Sequence, residues 1–91
     1  MISKDNYIIV DVRTKEEYDS GHIEGALNIP YDTIDKDVEL DKEKIVLVYC
    51  KSGARSTKAY NTLKSLGYNT INLGSKENAE KSLDSGCIWF L

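Results

Sequence analysis

The strongest constraint on the fold is the run IVLVY at residues 45–49, which leads directly into Cys50. The run is mostly β-branched and has no charged residue on either face, as is typical of a strand at the centre of a parallel sheet. Such a strand must be covered on both faces, and its parallel neighbours must be reached by crossover helices. The sequence therefore predicts an α/β fold, with a central, mostly parallel sheet flanked by helices on both faces.

The remaining segments alternate between strand-like and helix-like patterns, with no repeat and no linker. Thr14 and Glu17 have the spacing of a capping box, which predicts a short helix from there to about Ser20. Apolar spacing of three, four and seven residues predicts an amphipathic helix over residues 56–66. Further strands are expected at residues 7–10, 26–29 and 70–73, and a last helix at residues 75–83. Residues 31–41 predict no more than a helical turn or two plus loop.

Length and charge limit the classes of protein to which the chain can belong. With 91 residues it can build one modest core, so we expect one domain over residues 1–91. The net charge of -3 argues against a nucleic-acid binder. No apolar run approaches the ~20 residues that cross a bilayer, and residues 1–6 lack the apolar core of a secretory signal. We expect a soluble, cytoplasmic monomer that does not bind membranes.

The two cysteines, Cys50 and Cys87, are too few for a disulfide scaffold and have no close Cys/His pairing for structural zinc. Cys87 is expected to be a spectator thiol, the alternative being that it resolves an oxidised Cys50 as a disulfide. Cys50 lies where a buried strand leads towards a helix. In open α/β sheets this is the edge at which ligands bind.

Local chemistry gives Cys50 two readings. The loop from Lys51 to Arg55 can direct its amides at one anionic atom, Gly53 lets the backbone bend, and the two cations favour a thiolate. Alternatively, Cys50 is a small buried hydrophobic residue that ends a core strand. Local physics leaves these readings evenly balanced.

Three motifs change that balance: DVRTKEEY at residues 11–18, GHIEGALNIP at residues 21–30 and VYCKSGARS at residues 48–56. In order and spacing they closely resemble the motifs of the rhodanese-like (sulfurtransferase) family, over residues 7–73. Because only six residues precede Tyr7, the chain resembles the minimal single-domain, phage-shock-protein E type of the family. The pattern departs from that of many relatives at residues 73–78, so the resemblance assigns no role to Gly74.

The resemblance implies a rhodanese fold and a Cys50 that carries sulfane sulfur as a persulfide. It also implies that residues 50–55 form the active-site loop, in which the amides hold the terminal sulfur. The substrate-binding residues would then be Lys51, Ser52, Gly53, Ala54 and Arg55. No metal or organic cofactor is implied.

Asp11, Arg13 and His22 are assigned to structural support. His22, the only histidine, could act as a general base, but its place between a helix end and a strand start favours packing. Arg13 could touch substrate, yet its position four residues before Glu17 favours an ion pair that fixes the first helix. Asp11 either accepts N–H groups of the cysteine loop or caps its own turn, and the sequence leaves both open.

The first functional hypothesis is a sulfurtransferase of the thiosulfate type. Cys50 would take sulfur from an anionic donor such as thiosulfate and pass it to cyanide, a thiol or a protein acceptor. One alternative is a cysteine phosphatase of the cell-division-cycle branch that shares this fold, disfavoured because only four residues separate Cys50 from Arg55. The other is a non-catalytic interaction module, weakened by the presence of the cysteine.

Overall fold

The computed structural model describes residues 6–35 and 38–84, in which strands and helices alternate. Cys87 and the predicted apolar tail at residues 87–91 lie outside the described residues. The elements in chain order are strand β1 (Tyr7–Asp11), helix α1 (Lys15–Ser20), strand β2 (Leu27–Asn28), a 3-10 turn (Tyr31–Thr33), strand β3 (Ile45–Cys50), helix α2 (Ala54–Ser65), strand β4 (Thr70–Ser75) and helix α3 (Lys76–Asp84).

The four strands form one parallel sheet in the order β2-β1-β3-β4. The apolar run at residues 45–49 occupies an interior strand, paired with β1 from Tyr7↔Ile45 to Asp11↔Tyr49. Its other edge pairs with β4. This confirms the predicted α/β architecture and the interior place of β3.

Alternate residues of β3 divide the core into two layers. Val46 and Val48 face one layer with Ala59 and Leu63 of α2. Leu47 and Tyr49 face the other, which contains Ala79 of α3 and the packed ring of Tyr18 from α1. Because each layer buries apolar side chains on one face of the sheet, the strand needs the continuous apolar sequence that predicted it.

Several element boundaries differ by one or two residues from those expected. Helix α2 begins at Ala54, two residues early, since Gly53 occupies the N-cap position. Strand β4 continues to Ser75 through a register shift, whereas β2 is limited to Leu27–Asn28. Strand β2 ends before Pro30, as expected from a residue that has no amide donor.

The predicted capping box of α1 is present. The Thr14 hydroxyl accepts the Glu17 amide at 3.2 Å, and the Glu17 carboxylate accepts the Thr14 amide at 3.3 Å. These bonds satisfy amides that have no partner within the helix. A six-residue helix of low intrinsic stability is thus given a defined start.

A buried ion pair joins Asp11, the last residue of β1, to Arg13 in the turn that follows the strand. The Asp11 carboxylate accepts the Arg13 amide at 2.9 Å and the Arg13 guanidinium at 2.7–3.0 Å. The prediction that Arg13 pairs with Glu17 is wrong, because Arg13 precedes the helix and lacks helical i,i+4 geometry. Asp11 caps its own turn, which was one of the two readings left open.

Tyr49 extends this network from β3. Its hydroxyl donates to Asp11 at 2.8 Å and accepts the Ile23 amide at 3.1 Å, while Arg13 also donates to the Gly21 carbonyl. Burial, together with the neighbouring Asp11 carboxylate, raises the pKa of Tyr49 well above its usual range. The network therefore attaches the segment between α1 and β2 to the strand that carries Cys50.

Among residues 6–35 and 38–84, no helix has the length and apolar character needed to cross a membrane.

The Tyr49 network predicts a measurable loss of stability in Tyr49→Phe. Removing the hydroxyl leaves the Ile23 amide and one Asp11 oxygen each short of a partner, so the free energy of unfolding should fall by about 1–2 kcal/mol. Urea denaturation measures this change. Tyr60→Phe is the matched control, because the Tyr60 ring packs against the core and its loss of a hydroxyl should cost less than about 0.5 kcal/mol. Equal stabilities for the two variants would contradict the assigned network.

Candidate active site around Cys50

The candidate site lies at the carboxyl edge of the sheet, where β1, β3 and β4 lead into α1, α2 and α3. Cys50 is the last residue of β3 and its side chain is fully buried. The amides at the start of α2 lack intrahelical partners, and the helix dipole adds positive potential at this end. Cys50 therefore ends a core strand, and its sulfur lies next to the N-terminus of α2.

The tight turn after Cys50 depends on Gly53. The Gly53 amide donates to Cys50 Sγ at 2.9 Å. Gly53 has a φ of +103°, a left-handed conformation that disfavours any residue with a Cβ. An added Cβ would also lie 3.7 Å from the Gly74 Cα. Gly53 therefore lets the chain reverse and brings one amide onto the sulfur.

Ser56 is a site residue that the sequence reading did not single out. It is fully buried in the first turn of α2, and its hydroxyl donates to the Gly53 carbonyl at 2.9 Å. The available signal was a small polar residue on the apolar face of an amphipathic helix. Its neighbours explain why it is there: the hydroxyl braces the turn that carries the Gly53 amide.

The environment of Cys50 favours the thiolate. Burial alone would raise the pKa of the thiol, but hydrogen bonds from Ser56 outweigh this effect, with further help from the Gly53 and Ser52 amides. The net result is a pKa of Cys50 below its ordinary value. A lowered pKa next to the amides at a helix N-terminus is a feature of reactive cysteines.

A bulge in β4 forms the facing wall of the site. The pairing changes from Val48↔Asn72 to Tyr49↔Gly74, which leaves Leu73 as an extra residue. Gly74 then approaches Gly53, and its amide donates to Asn72 Oδ1 at 2.9 Å. Bulges frequently redirect a strand next to an active site. Here the bulge supplies a wall to which the family resemblance had assigned no role.

Arg55 is held by Glu17 in a bidentate ion pair. The two guanidinium nitrogens donate to the two carboxylate oxygens at 2.6 and 3.0 Å. The Arg55 hydrogen bond lowers the pKa of Glu17 to about 2. The sequence predicts Arg55 as a source of local positive charge at Cys50, and the structure pairs this charge with a carboxylate from α1. The sequence assigned Glu17 only to the capping box of α1 and did not indicate that its carboxylate also pairs with Arg55.

The other predicted loop residues lie at the surface. Lys51, Ser52 and Ala54 are exposed, and Ala54 is the first residue of α2 and no longer part of a loop. The structure brings Cys50, Gly53 and Ser56 together at the start of α2, with Gly74 of β4 beside them.

The three residues assigned to structural support lie within the β1–α1–β2 segment. The exposed His22 ring stacks on Tyr18 with centroids 3.7 Å apart, and its Nδ1 lies 2.9 Å from the Tyr18 carbonyl oxygen. Asp11 and Arg13 bond to each other and to the network of Tyr49. Within the described part of the chain, none of these three residues bonds to Cys50, and no cluster of three or more His, Cys, Asp or Glu side chains has the arrangement of a metal site.

Comparisons with known proteins identify the family. The family model described as Rhodanese-like domain matches residues 1–76. The chain is 36% identical over 96 residues to a tRNA uridine(34) hydroxylase from Escherichia coli, covering 94% of this chain and 27% of the relative. It is 40% identical over 68 residues to a probable molybdopterin-synthase adenylyltransferase from Porphyra purpurea, covering 71% of this chain and 18% of the relative. The chain therefore spans about a quarter or less of the length of these curated relatives.

A solved structure described as a rhodanese with anions from E. coli is also similar, with a TM-score of 0.71 and 34% identity. The match covers 79% of this chain and 89% of that chain. The parallel sheet, the cysteine at the end of its interior strand and the family match lead to one conclusion: this chain belongs to the rhodanese-like domain family.

Proposed function

We propose that this protein transfers sulfane sulfur from an anionic donor, such as thiosulfate, to a thiophilic acceptor through a persulfide on Cys50. The observation that carries the proposal is the Gly53 amide bond to Cys50 Sγ at 2.9 Å, in a turn braced by Ser56. This arrangement favours a thiolate and provides donors for a second sulfur atom bound to it.

The first half of the cycle forms the persulfide. The Cys50 thiolate attacks the outer sulfur of thiosulfate, a new S–S bond forms, and the original S–S bond breaks with its electron pair leaving on sulfite. The charge is conserved, because a thiolate and a dianion become a persulfide anion and the sulfite dianion. The attack itself transfers no proton, because the thiolate form of Cys50 is the nucleophile, and the lowered pKa of Cys50 favours that form.

The second half restores the thiolate. A nucleophilic acceptor, which would be cyanide in an assay or a thiol or protein in the cell, attacks the terminal sulfur and breaks the Sγ–S bond. The electron pair returns to Cys50. Between the two steps, backbone amides at the start of α2 stabilise the negative terminal sulfur in the manner of an oxyanion hole.

The loop geometry argues against the phosphatase alternative. Four residues separate Cys50 from Arg55, a ring suited to one sulfur atom more than to a tetrahedral phosphate. A phosphatase also needs its arginine as a bidentate clamp on phosphate oxygens, whereas Arg55 already has both nitrogens on Glu17. An interaction module without catalysis would not need a cysteine whose pKa is lowered.

The proposed acceptor remains a class and not a named molecule. In the two curated relatives the similar segment is part of a much longer chain. The site lies at the edge of the sheet beside the exposed residues Lys51 and Ser52, where a protein acceptor can approach it.

We propose that a monomer in the cytoplasm is the active form.

The central test is the mass of the protein after incubation with thiosulfate. The parent should gain about 32 Da, which cyanide then removes, because the added sulfur is a persulfide. Cys50→Ser should gain nothing and lose at least about a thousandfold in sulfur transfer, since a serine hydroxyl without an adjacent base is a weak nucleophile.

Cys87→Ser is the matched control for this experiment, because it removes the other thiol of the chain. It should keep both the mass gain and the transfer rate of the parent. Added sulfur that persists in Cys50→Ser and disappears in Cys87→Ser would show that the wrong cysteine was assigned.

Ser56 generates a second prediction, about the acidity of the thiol. In Ser56→Ala the hydroxyl that helps to stabilise the thiolate is lost, so the pKa of Cys50 should rise towards that of a free cysteine. The rate of alkylation by iodoacetamide as a function of pH measures it. The control is Ser65→Ala at the far end of α2, which should leave the alkylation midpoint where it is in the parent. A midpoint at or above ~8.5 in the parent would mean that burial prevails over the amides.

A further inference from the structure

The Glu17–Arg55 pair has a geometry that fixes where its charges lie. Both carboxylate oxygens and two guanidinium nitrogens are engaged, at 2.6 and 3.0 Å. Neither side chain is free at the surface, since Arg55 is 26% exposed and Glu17 is 30% exposed. The pair crosses from the first turn of α1 to the first turn of α2, so it lies beside the helix end that receives the Cys50 sulfur.

Arg55 is close enough to Cys50 for their charges to interact. The Glu17 hydrogen bond is the main reason that the pKa of Arg55 is raised, and the negative charges of Glu17 and of the Cys50 thiolate add to it. A cation that stabilises the thiolate also attracts an anionic donor. However, because Glu17 forms a bidentate ion pair with the Arg55 guanidinium, an incoming anion meets a pair with no net charge and not a full positive charge.

We propose that Glu17 is a specificity-determining residue of this site: by occupying the guanidinium of Arg55, it weakens the binding of doubly charged sulfur donors relative to singly charged ones. This inference rests on the proposed sulfur transfer at Cys50. It narrows the donor class to organic thiosulfonates and persulfides, which carry one negative charge on the sulfur-bearing group, in preference to thiosulfate.

The electrostatic argument is one of charge number. An additional elementary charge near the site changes the binding energy of a dianion by about twice as much as that of a monoanion. Methanethiosulfonate and thiosulfate are a suitable pair, because both present an outer sulfur on a sulfonyl-type sulfur. Thiolate attack on the outer sulfur releases methanesulfinate from the first and sulfite from the second.

A purely structural role for Glu17 makes a different prediction. Weaker docking of α1 would reduce transfer from both donors by the same factor. A changed thiolate fraction at Cys50 would also affect both donors equally. The ratio of kcat/KM values for the two donors therefore isolates the charge effect from either of these changes.

Glu17→Gln is the appropriate substitution because glutamine also serves at this position of a capping box. The amide keeps the shape of the side chain and a hydrogen bond acceptor for Arg55, while the negative charge is lost. Glu16→Gln is the matched control: it removes the same charge from the adjacent, exposed position of the same helical turn.

The experiment compares donor kcat/KM values at low ionic strength, with cyanide as acceptor. In Glu17→Gln the value for thiosulfate should rise by about fivefold and that for methanethiosulfonate by about twofold, and added salt should diminish both effects. Sulfate, a dianion that transfers no sulfur, should protect Cys50 from iodoacetamide at about fivefold lower concentration. Glu16→Gln should keep the donor ratio of the parent.

Adding Arg55→Gln supplies the decisive cycle. If Glu17 acts by occupying the Arg55 guanidinium, Glu17→Gln should change the donor ratio less in the Arg55→Gln background than in the parent, because only the direct repulsion by the Glu17 charge is then removed; an equal change in both backgrounds would contradict a role through Arg55. An unchanged ratio in Glu17→Gln itself, with unchanged protection by sulfate, would overturn the inference and leave sulfur transfer standing. A parent protein that forms no persulfide with either donor would instead contradict the proposed function, whatever the sulfate protection shows.

Discussion

The site depends on one interaction, the hydrogen bonding of the Cys50 sulfur by backbone amides at the start of α2. A fully buried sulfur at the end of β3 is costly to ionise. That cost is offset by hydrogen bonds from Ser56, Gly53 and Ser52 in the tight turn after Cys50, where the Gly53 amide lies 2.9 Å from the sulfur. The left-handed conformation of Gly53 and the buried hydroxyl of Ser56 make this turn possible. Burial and activation of the cysteine thus arise from the same packing.

Two polar bridges hold the surroundings of that turn, and they differ in their physics. The Asp11–Arg13 pair is buried and its carboxylate also accepts the Tyr49 hydroxyl, so it specifies how the segment after β1 meets Tyr49 on β3. The Glu17–Arg55 pair is about one quarter to one third exposed, so salt and competing anions can reach it. The first therefore belongs to the fold, whereas the second lies where it can influence which anions bind.

Sequence patterns predicted those features whose cause is local. The apolar run at residues 45–49 indicated an interior strand, and Thr14 with Glu17 indicated a capped helix. The patterns failed where a side chain chooses between partners distant in sequence. Arg13 was expected to pair with Glu17, but both found other partners, because Asp11 adopts a turn that places its carboxylate on Arg13. Spacing of four residues has meaning only inside a helix, and Arg13 lies before one.

The sequence by itself determined the class of fold, the place of Cys50 at a strand end and the family to which its motifs point. These depend on side-chain periodicity and on short motifs, which act over a few neighbouring residues. Only the tertiary structure decided that Glu17 neutralises Arg55, that the Ser56 hydroxyl lies 3.4 Å from the Gly74 carbonyl oxygen and that the bulge at Leu73 brings Gly74 against Gly53. Those contacts join different elements, and their geometry follows from how α1, α2 and β4 pack on a common sheet, which no local pattern encodes.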